Sequence, residues 1–204
     1  MTEAPRLPPV PAADLTEKQK AAFIAGIKPE HVQHFFPVEE SRLPWPTGLA
    51  SLLHHPTLAH KWLSFNYTLL HEGLLSDRQR EVMVLRVGWR TRSTYEWIQH
   101  SRLAPRYDIT ADEIVAISEG RYEGFKPLEA DLLIATDEVI DGYRIRDDTW
   151  ARLASQLDDA RLEEVAFTIA AYTALAMVFE SLGVQIEPEW RDTPGPRFPR
   201  SSPA

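Results

Sequence analysis

The strongest constraint on the fold is a Ser/Thr-x-x-Glu/Gln signature that occurs four times, starting at Thr16, Ser76, Ser93 and Thr110. In this capping box, the two side chains reciprocally satisfy backbone N–H groups that have no partner in the first turn of a helix. No run of the chain shows the strict apolar–polar alternation of a half-buried strand. The sequence therefore predicts an all-α fold.

The apolar pattern and the breaks at Gly and Pro divide the chain into helical segments. The expected helices cover residues 16–25, 47–54, 56–72, 76–90, 94–106, 110–119, 127–141, 148–156 and 159–182. Segments 76–90 and 159–182 are apolar on nearly every side, which indicates burial all round. One core of this size rarely needs two such helices, so we expect part of their surface to be buried in a homo-oligomer.

Two Pro-rich arms, 1–15 and 188–204, flank one predicted helical domain at 16–187. The most apolar run, Val165–Phe179, has 15 residues. A membrane span needs roughly 20 apolar residues, so a buried helix is expected there and no membrane partner. The first residues contain no apolar segment of the kind that a secretory signal requires. We therefore expect a cytoplasmic protein.

Composition excludes several classes of function. The chain of 204 residues has 22 Lys and Arg against 30 Asp and Glu, a net charge of −8. This balance, without a basic run, argues against a nucleic-acid partner. The absence of Cys excludes disulfides, thiolate metal sites and thiol redox chemistry. The histidines lack the spacing of a zinc site, so we expect no metal.

Three ionisable residues stand out between 76 and 104. Glu96 and His100 are four apart and share a helix face with Trp97, while Glu81 lies on the apolar preceding helix. A carboxylate and an imidazole in a partly dry site can exchange a proton. Two structural interpretations stay open: Ser93 and Glu96 as a capping box, and His100 as a hydrogen-bonded packing residue. Glu81 could likewise pair only with Arg78 or Arg86.

The same stretch resembles the carboxymuconolactone decarboxylase family, which includes the AhpD-type alkylhydroperoxidases. The family pattern is Arg-x-Arg-Glu on one helix and Cys-x-x-Cys-x-x-x-His on the next, where many decarboxylase-like members read Tyr-Glu-Trp-x-x-His. This chain has Arg78, Arg80 and Glu81, then Tyr95-Glu96-Trp97 and His100, with Ser93 and Glu96 at the cysteine positions. The resemblance implies an AhpD-like helical bundle, assembled as a trimer or hexamer.

The resemblance also implies a function: cofactor-free decarboxylation by a lyase, or isomerisation or elimination, on a small unsaturated lactone or carbonyl substrate. We expect His100 to donate or shuttle the proton, Glu81 to orient His100, Glu96 to act as its acid/base partner, and Tyr95 to assist. The expected binding residues are Ser93, Trp97 and Arg86, with Arg90 and Arg92 as alternatives to Arg86 for binding a substrate carboxylate. Thiol peroxidase activity is excluded because both cysteines are missing. The alternative is a non-catalytic oligomer of the same fold that binds a small ligand or is purely structural.

Overall fold

The computed structural model of the chain describes residues 4–38, 44–196 and 198, and these contain helices and no strand. The all-α prediction is confirmed. The α-helices are α1 Glu17–Ile24, α2 Pro29–Val32, α3 Thr47–Leu52, α4 Pro56–Tyr67, α5 Asp77–Arg90, α6 Thr94–Leu103, α7 Ala111–Glu119, α8 Pro127–Gly142, α9 Asp147–Ala154 and α10 Asp159–Leu182. Homo-oligomerisation and the domain limits 16–187 stay predictions.

Two of the expected helices are shorter by three residues or more than the sequence pattern indicates. α4 ends at Tyr67 and continues as a π-helical turn, Thr68–Glu72. α6 ends at Leu103 and is followed by a 3-10 turn, Ala104–Tyr107. Pro105 explains the second change, because proline has no N–H to donate to the preceding turn. The short α2 was not expected from the pattern.

Three of the four capping boxes form as predicted. The hydroxyl groups of Thr16, Ser76 and Thr110 each accept a hydrogen bond from the backbone N–H three residues on. In each box the Gln or Glu at that third position accepts the N–H of the cap residue in return. These contacts fix the first residues of α1, α5 and α7, and the fourth signature is described with the site.

The chain forms two compact units, and the first comprises the described residues of 1–73 and 178–191. Its core is built around Phe23, whose ring stacks on Trp45 with centroids 4.6 Å apart. The N-terminal arm belongs to this unit: the Val10 N–H donates to the Ala50 carbonyl, and the Val10 carbonyl accepts the Trp45 indole N–H. Its described residues are thus held by backbone hydrogen bonds to the helices.

The second unit comprises 74–177 and the described residues of 192–204. Its core unites α5, α8, α9 and α10 through buried side chains: Leu75, Met83, Val84, Val87, Leu132, Ala135, Leu153, Leu162, Val165, Ile169 and Tyr172. α5 is buried continuously from Arg80 to Gly88. The expected burial of this helix on all sides is confirmed.

Within the described residues, α10 alone is long and apolar enough to cross a membrane by length and composition. A core helix of a soluble protein passes the same test. Val165 and Ile169 are fully buried in the core of the second unit. This agrees with a soluble helical domain, and the cytoplasmic location stays a prediction.

α5 and α6 approach each other closely at Gly88. A Cβ atom at this position would lie 3.2 Å from the Trp97 backbone nitrogen and 3.4 Å from its Cα atom. These are backbone atoms of the neighbouring helix, so they cannot rotate out of the way as a side chain would. A side chain at position 88 would therefore require the two helices to shift apart by a few tenths of an ångström.

We predict that Gly88→Ala lowers the free energy of unfolding by about 1–3 kcal/mol, because the added methyl group forces the two helices apart. The matched control is Gly142→Ala at the end of α8, where a Cβ atom would meet nothing within 4 Å. There the higher helix propensity of alanine should be neutral or stabilise by up to about 1 kcal/mol. Urea denaturation of both variants measures the difference, and equal stabilities would contradict the steric argument.

Candidate active site

The site in the second unit is centred on a contact between α5 and α6. His100 Nδ1 lies 2.8 Å from Glu81 Oε1. The Glu81 side chain is 2 % exposed and that of His100 is 15 % exposed. A carboxylate in its ionised form only accepts hydrogen bonds, and with Glu81 in that form Nδ1 is the donor of this contact. The opposite ring nitrogen, Nε2, is then left for proton transfer.

The His100 ring also contacts α10. Tyr172 meets it edge to face, with ring centroids 5.5 Å apart and an interplanar angle of 84°. Tyr172 is buried. The imidazole is therefore held by a carboxylate at Nδ1 and by an aromatic ring, which restricts its orientation.

Glu96 occupies the turn of α6 before His100 and is 2 % exposed. Its charge reaches the Tyr172 hydroxyl: burial raises the pKa of Tyr172, and the negative charges of Glu81 and Glu96 raise it further, while Arg80 opposes them. The phenol is thus kept protonated and able to donate. The structure brings Glu81, Glu96 and His100 into one electrostatic neighbourhood with Tyr172.

Arg80, Tyr107 and Tyr172 were not among the residues expected in the site. The Arg80 guanidinium carbon lies 5.9 Å from the centroid of the Tyr107 ring. Burial raises the pKa of Tyr107, and the charge of Glu81 adds to this effect. Arg80 is adjacent to Glu81 in the motif, which was a usable signal. Nothing in the pattern could place Tyr172, because it lies 72 positions beyond His100 and reaches it only through folding.

Ser93 corrects the capping interpretation of the fourth signature. It is the N-cap of α6, yet its side chain makes no capping hydrogen bond. Its hydroxyl is fully buried and has no hydrogen-bond partner among the described residues. The capping box predicted for Ser93 and Glu96 is therefore wrong, because the Ser93 side chain makes no capping bond and both side chains are buried.

The neighbours of Glu96 on α6 have defined partners. The Tyr95 hydroxyl accepts a hydrogen bond from Gln99 Nε2 at 3.3 Å. The Trp97 indole N–H donates to the Pro196 carbonyl at 2.8 Å, and its ring meets that of Trp89 with centroids 4.9 Å apart. The C-terminal arm thus contacts α6 directly. The assisting role of Tyr95 and the substrate contacts of Ser93 and Trp97 stay predictions.

Arg86 is occupied by structural contacts. It donates from Nε and Nη2 to the two carboxylate oxygens of Asp137 at 2.6 and 3.0 Å, and from Nη1 to the Ile117 carbonyl at 2.6 Å. It lies five residues after Glu81, which is about 140° around the helix. The geometry therefore favours a structural role for Arg86 over the predicted binding of substrate.

Other sites were also considered. No group of three or more His, Asp or Glu side chains in the described parts of the chain could hold a metal ion. The first unit carries an open hollow of about 240 Å³ lined by Lys18, Ala21, Pro56, Thr57, His60 and Lys61. None of these residues belongs to the predicted site. The cluster around His100 is thus the stronger candidate for chemistry.

Residues 56–138 match the model of the Carboxymuconolactone decarboxylase family. Over this segment the chain is similar to that family. The matched range contains the Arg-x-Arg-Glu motif of α5 and the Tyr-Glu-Trp-x-x-His motif of α6. It therefore includes Glu81, Glu96 and His100, and the family relationship expected from these motifs is confirmed.

Solved structures share the fold at low sequence identity. The debrominase Bmp8 in complex with 2,3,4-tribromopyrrole is 15% identical with a TM-score of 0.72, over 95% of this chain and 97% of the other. An AhpD-core, peroxidase-related protein of Ralstonia eutropha is also 15% identical, with a TM-score of 0.67 over 90% and 94%. A peroxidase-related protein of Silicibacter sp. is 14% identical, with a TM-score of 0.68 over 82% and 92%. No curated protein matches the chain.

These similarities confirm the AhpD-like helical fold. They do not assign a reaction, because the identities are low and related folds carry different chemistries. The cysteine positions of the family pattern are Ser93 and Glu96 here, and the chain contains no Cys. A thiol-based reaction therefore has no residue in this sequence to carry it.

We predict that Ser93→Ala leaves the free energy of unfolding unchanged or raises it, since the hydroxyl is buried without a partner and its desolvation is unfavourable. Ser76→Ala is the matched control at a functioning cap and should cost about 0.5–2 kcal/mol. Urea denaturation measures both. A loss at Ser93 equal to that at Ser76 would restore the capping interpretation.

Asp137 provides a prediction about acid stability. Burial raises the pKa of its carboxyl, but hydrogen bonds from Arg86 and Tyr122 and the charges of the arginines outweigh burial, so the net pKa is lowered. The resulting stabilisation is complete above the unfolded value of about 3.9 and is lost as the pH falls through the lower folded pKa.

Asp137→Asn should therefore destabilise the protein by about 3 kcal/mol at neutral pH, because it leaves a buried guanidinium without its counter-charge. The difference from wild type should begin to shrink below the unfolded pKa and should be smallest below the folded pKa, where both side chains are neutral. Asp141→Asn is the control: this 68 % exposed partner of Arg90 should contribute at most about 1 kcal/mol. Denaturation at neutral and acidic pH measures these changes, and a constant difference would contradict them.

Proposed function

We propose that this protein is a cofactor-free acid/base enzyme that transfers a proton to or from a small, flat, conjugated carbonyl compound such as an unsaturated lactone. The observation that carries the proposal is the 2.8 Å contact between His100 Nδ1 and Glu81 Oε1. A buried carboxylate that orients one ring nitrogen and leaves the other for the substrate is the usual arrangement of a catalytic histidine. The family relationship of residues 56–138 supports the same chemistry.

Decarboxylation is the reaction that we favour. When the carbon–carbon bond to the leaving carboxylate breaks, CO₂ departs and the bonding electron pair moves into the conjugated carbonyl group, which becomes a dienolate. The protonated His100 then gives its Nε2 proton to carbon and recovers a proton from solvent. The conjugated carbonyl is the electron sink, so this step balances without a metal or an organic cofactor.

The surroundings of His100 suit these steps. Glu81 stabilises the imidazolium that exists before proton donation. The Tyr172 phenol, kept neutral by burial and by nearby carboxylates, supplies an O–H group in the same cluster, suited to donate to a developing enolate oxygen. Glu96 acts as the second acid/base group. Isomerisation and elimination use the same proton transfers and remain within the proposal.

The size and flatness of the proposed substrate have support from the fold. Bmp8 was solved with 2,3,4-tribromopyrrole bound, so a protein of this fold accommodates a small planar ring. The non-catalytic alternative requires only that His100 and Glu81 form a structural ion pair. Mutation with a turnover measurement separates the two possibilities.

We predict that His100→Gln lowers kcat by about 10²–10⁴-fold, because glutamine can keep the hydrogen bond to Glu81 but cannot transfer a proton. Glu81→Gln should lower kcat less, since it removes the orienting charge and retains the imidazole. The assay presents a panel of small unsaturated lactone acids and β-keto acids and measures CO₂ release, with NMR detection of deuterium taken up from D₂O. Circular dichroism verifies the helical content of each variant.

His31→Gln is the matched control, because His31 is an exposed histidine of the first unit. It should leave turnover unchanged. Wild-type rates in His100→Gln would contradict the assignment of the proton donor. Absence of CO₂ release and of deuterium uptake across the whole panel would favour the ligand-binding or structural alternative.

A further inference from the structure

Arg80 is a buried cation beside the catalytic pair with unused hydrogen-bonding capacity. It lies on α5 immediately before Glu81 and is 3 % exposed. Its Nη2 donates to Asp77 Oδ1 at 2.8 Å, and the Asp77 side chain is 63 % exposed. None of the described residues accepts a hydrogen bond from Arg80 Nε, although this atom is buried.

Two other arginines of α5, Arg78 and Arg86, donate from Nε, and Arg90 has two carboxylate partners. Arg78 donates to Glu129 from Nε and Nη2 and also pairs with Glu113. Arg86 uses Nε, Nη1 and Nη2. Arg90 pairs with Asp137 and with Asp141.

A buried N–H group of a charged side chain without an acceptor costs about 1–3 kcal/mol or more. Folding would gain from an aliphatic residue at position 80, or from a second carboxylate beside it. A ligand that accepts a hydrogen bond from Arg80 Nε would remove this cost. The unpartnered donor therefore points to a bound ligand.

Arg80 is also placed with the reacting groups rather than apart from them. Its guanidinium lies over the Tyr107 ring and is hydrogen-bonded to the Tyr107 side chain, so that within the described part of the chain the unpartnered donor is Nε alone. Its charge acts on the hydroxyl of Tyr172. Tyr172 in turn contacts the ring of His100. The guanidinium and the imidazole therefore belong to one cluster. In it, Arg80 supplies a fixed positive charge and His100 supplies the proton donor.

We propose that Arg80 is the anion-binding residue of this site, and that its Nε–H group binds a carboxylate that the substrate retains through the reaction. This inference rests on the proposed function and adds to it the residue that binds the substrate and sets its orientation. The bound carboxylate cannot be the one that leaves as CO₂. A guanidinium would stabilise that charge in the ground state and so raise the barrier to its loss.

In this arrangement Arg80 binds and orients the substrate, and His100 transfers the proton. An Arg–carboxylate contact is strong and directional, so it fixes the orientation of a small acid. The contact between Arg80 and the carboxylate holds the conjugated carbon of the substrate near His100, which increases the rate of proton transfer. Arg86, the binding residue expected from the sequence, has no equivalent unused N–H group, since all three of its nitrogens donate to neighbours.

The test is a pair of planar probes that differ in charge: 2-furoate and its neutral amide, 2-furamide. Calorimetric titration of the full chain measures both affinities. The expected result is that 2-furoate binds wild type more tightly than 2-furamide does. Arg80→Gln should weaken the binding of 2-furoate by about 10- to 100-fold, the range for a hydrogen bond to a charged group. The affinity of the Arg80→Gln variant for 2-furamide should change by less than about twofold, which is the usual size of an indirect effect of a substitution.

Arg80→Lys guards against a folding defect in the glutamine variant, because lysine keeps the charge and loses the Nε–H donor. It should bind 2-furoate with intermediate affinity and keep wild-type affinity for 2-furamide. Arg121→Gln is the matched control and removes one positive charge at a position where the side chain is 60 % exposed. It should leave both affinities unchanged. Thermal melting of every variant identifies loss of structure.

Three results would overturn the proposal: no binding of 2-furoate to wild type, unchanged affinity for it in Arg80→Gln, or equal losses for both probes in Arg80→Lys. His100→Gln should still bind 2-furoate while losing turnover. Failure of Arg80 as the anion site and failure of His100 as the proton donor are therefore separate observations.

Discussion

The close approach of α5 and α6 is the constraint on which the rest of the second unit depends. Gly88 permits it, because any side chain there would meet the backbone of Trp97. At this separation the two helices share one buried interface, and the 2.8 Å contact between Glu81 and His100 spans it. A carboxylate and an imidazole that are 19 positions apart in sequence thus become a single hydrogen-bonded unit in a largely dry environment, where such contacts are stronger than in water.

The charged residues of α5 divide into two groups by their partners. Arg78, Arg86 and Arg90 tie α5 to α7 and α8 through buried or half-buried carboxylates. Arg80 and Glu81 belong instead to the group of titratable residues around His100. A helix that is buried on every side would ordinarily exclude charge, so each ionised group on it requires a partner or a function.

The family relationship and the loss of both cysteines have to be considered together. The helices, the Arg-x-Arg-Glu motif and the histidine are retained, whereas the residues that would form a disulfide are Ser93 and Glu96. Ser93 keeps a small buried hydroxyl and Glu96 adds a buried carboxylate. The same scaffold still places an imidazole against a buried acid, which is the arrangement that the proposed proton transfer uses, but it has no thiol pair to cycle with a disulfide.

Sequence by itself determined the helical class, most helix limits and the family, because capping boxes, proline positions and the motif are local and act through neighbouring backbone groups. It also selected Glu81, Glu96 and His100. Only the tertiary structure decided that Ser93 does not cap α6, that Arg86 is occupied by Asp137, and that Arg80 and Tyr172 join the site. Those outcomes depend on which helices are adjacent and on which carboxylates reach which guanidinium groups. Contacts between side chains that are 50 to 90 residues apart in sequence are set by the packing of the core. A local sequence pattern therefore cannot predict them.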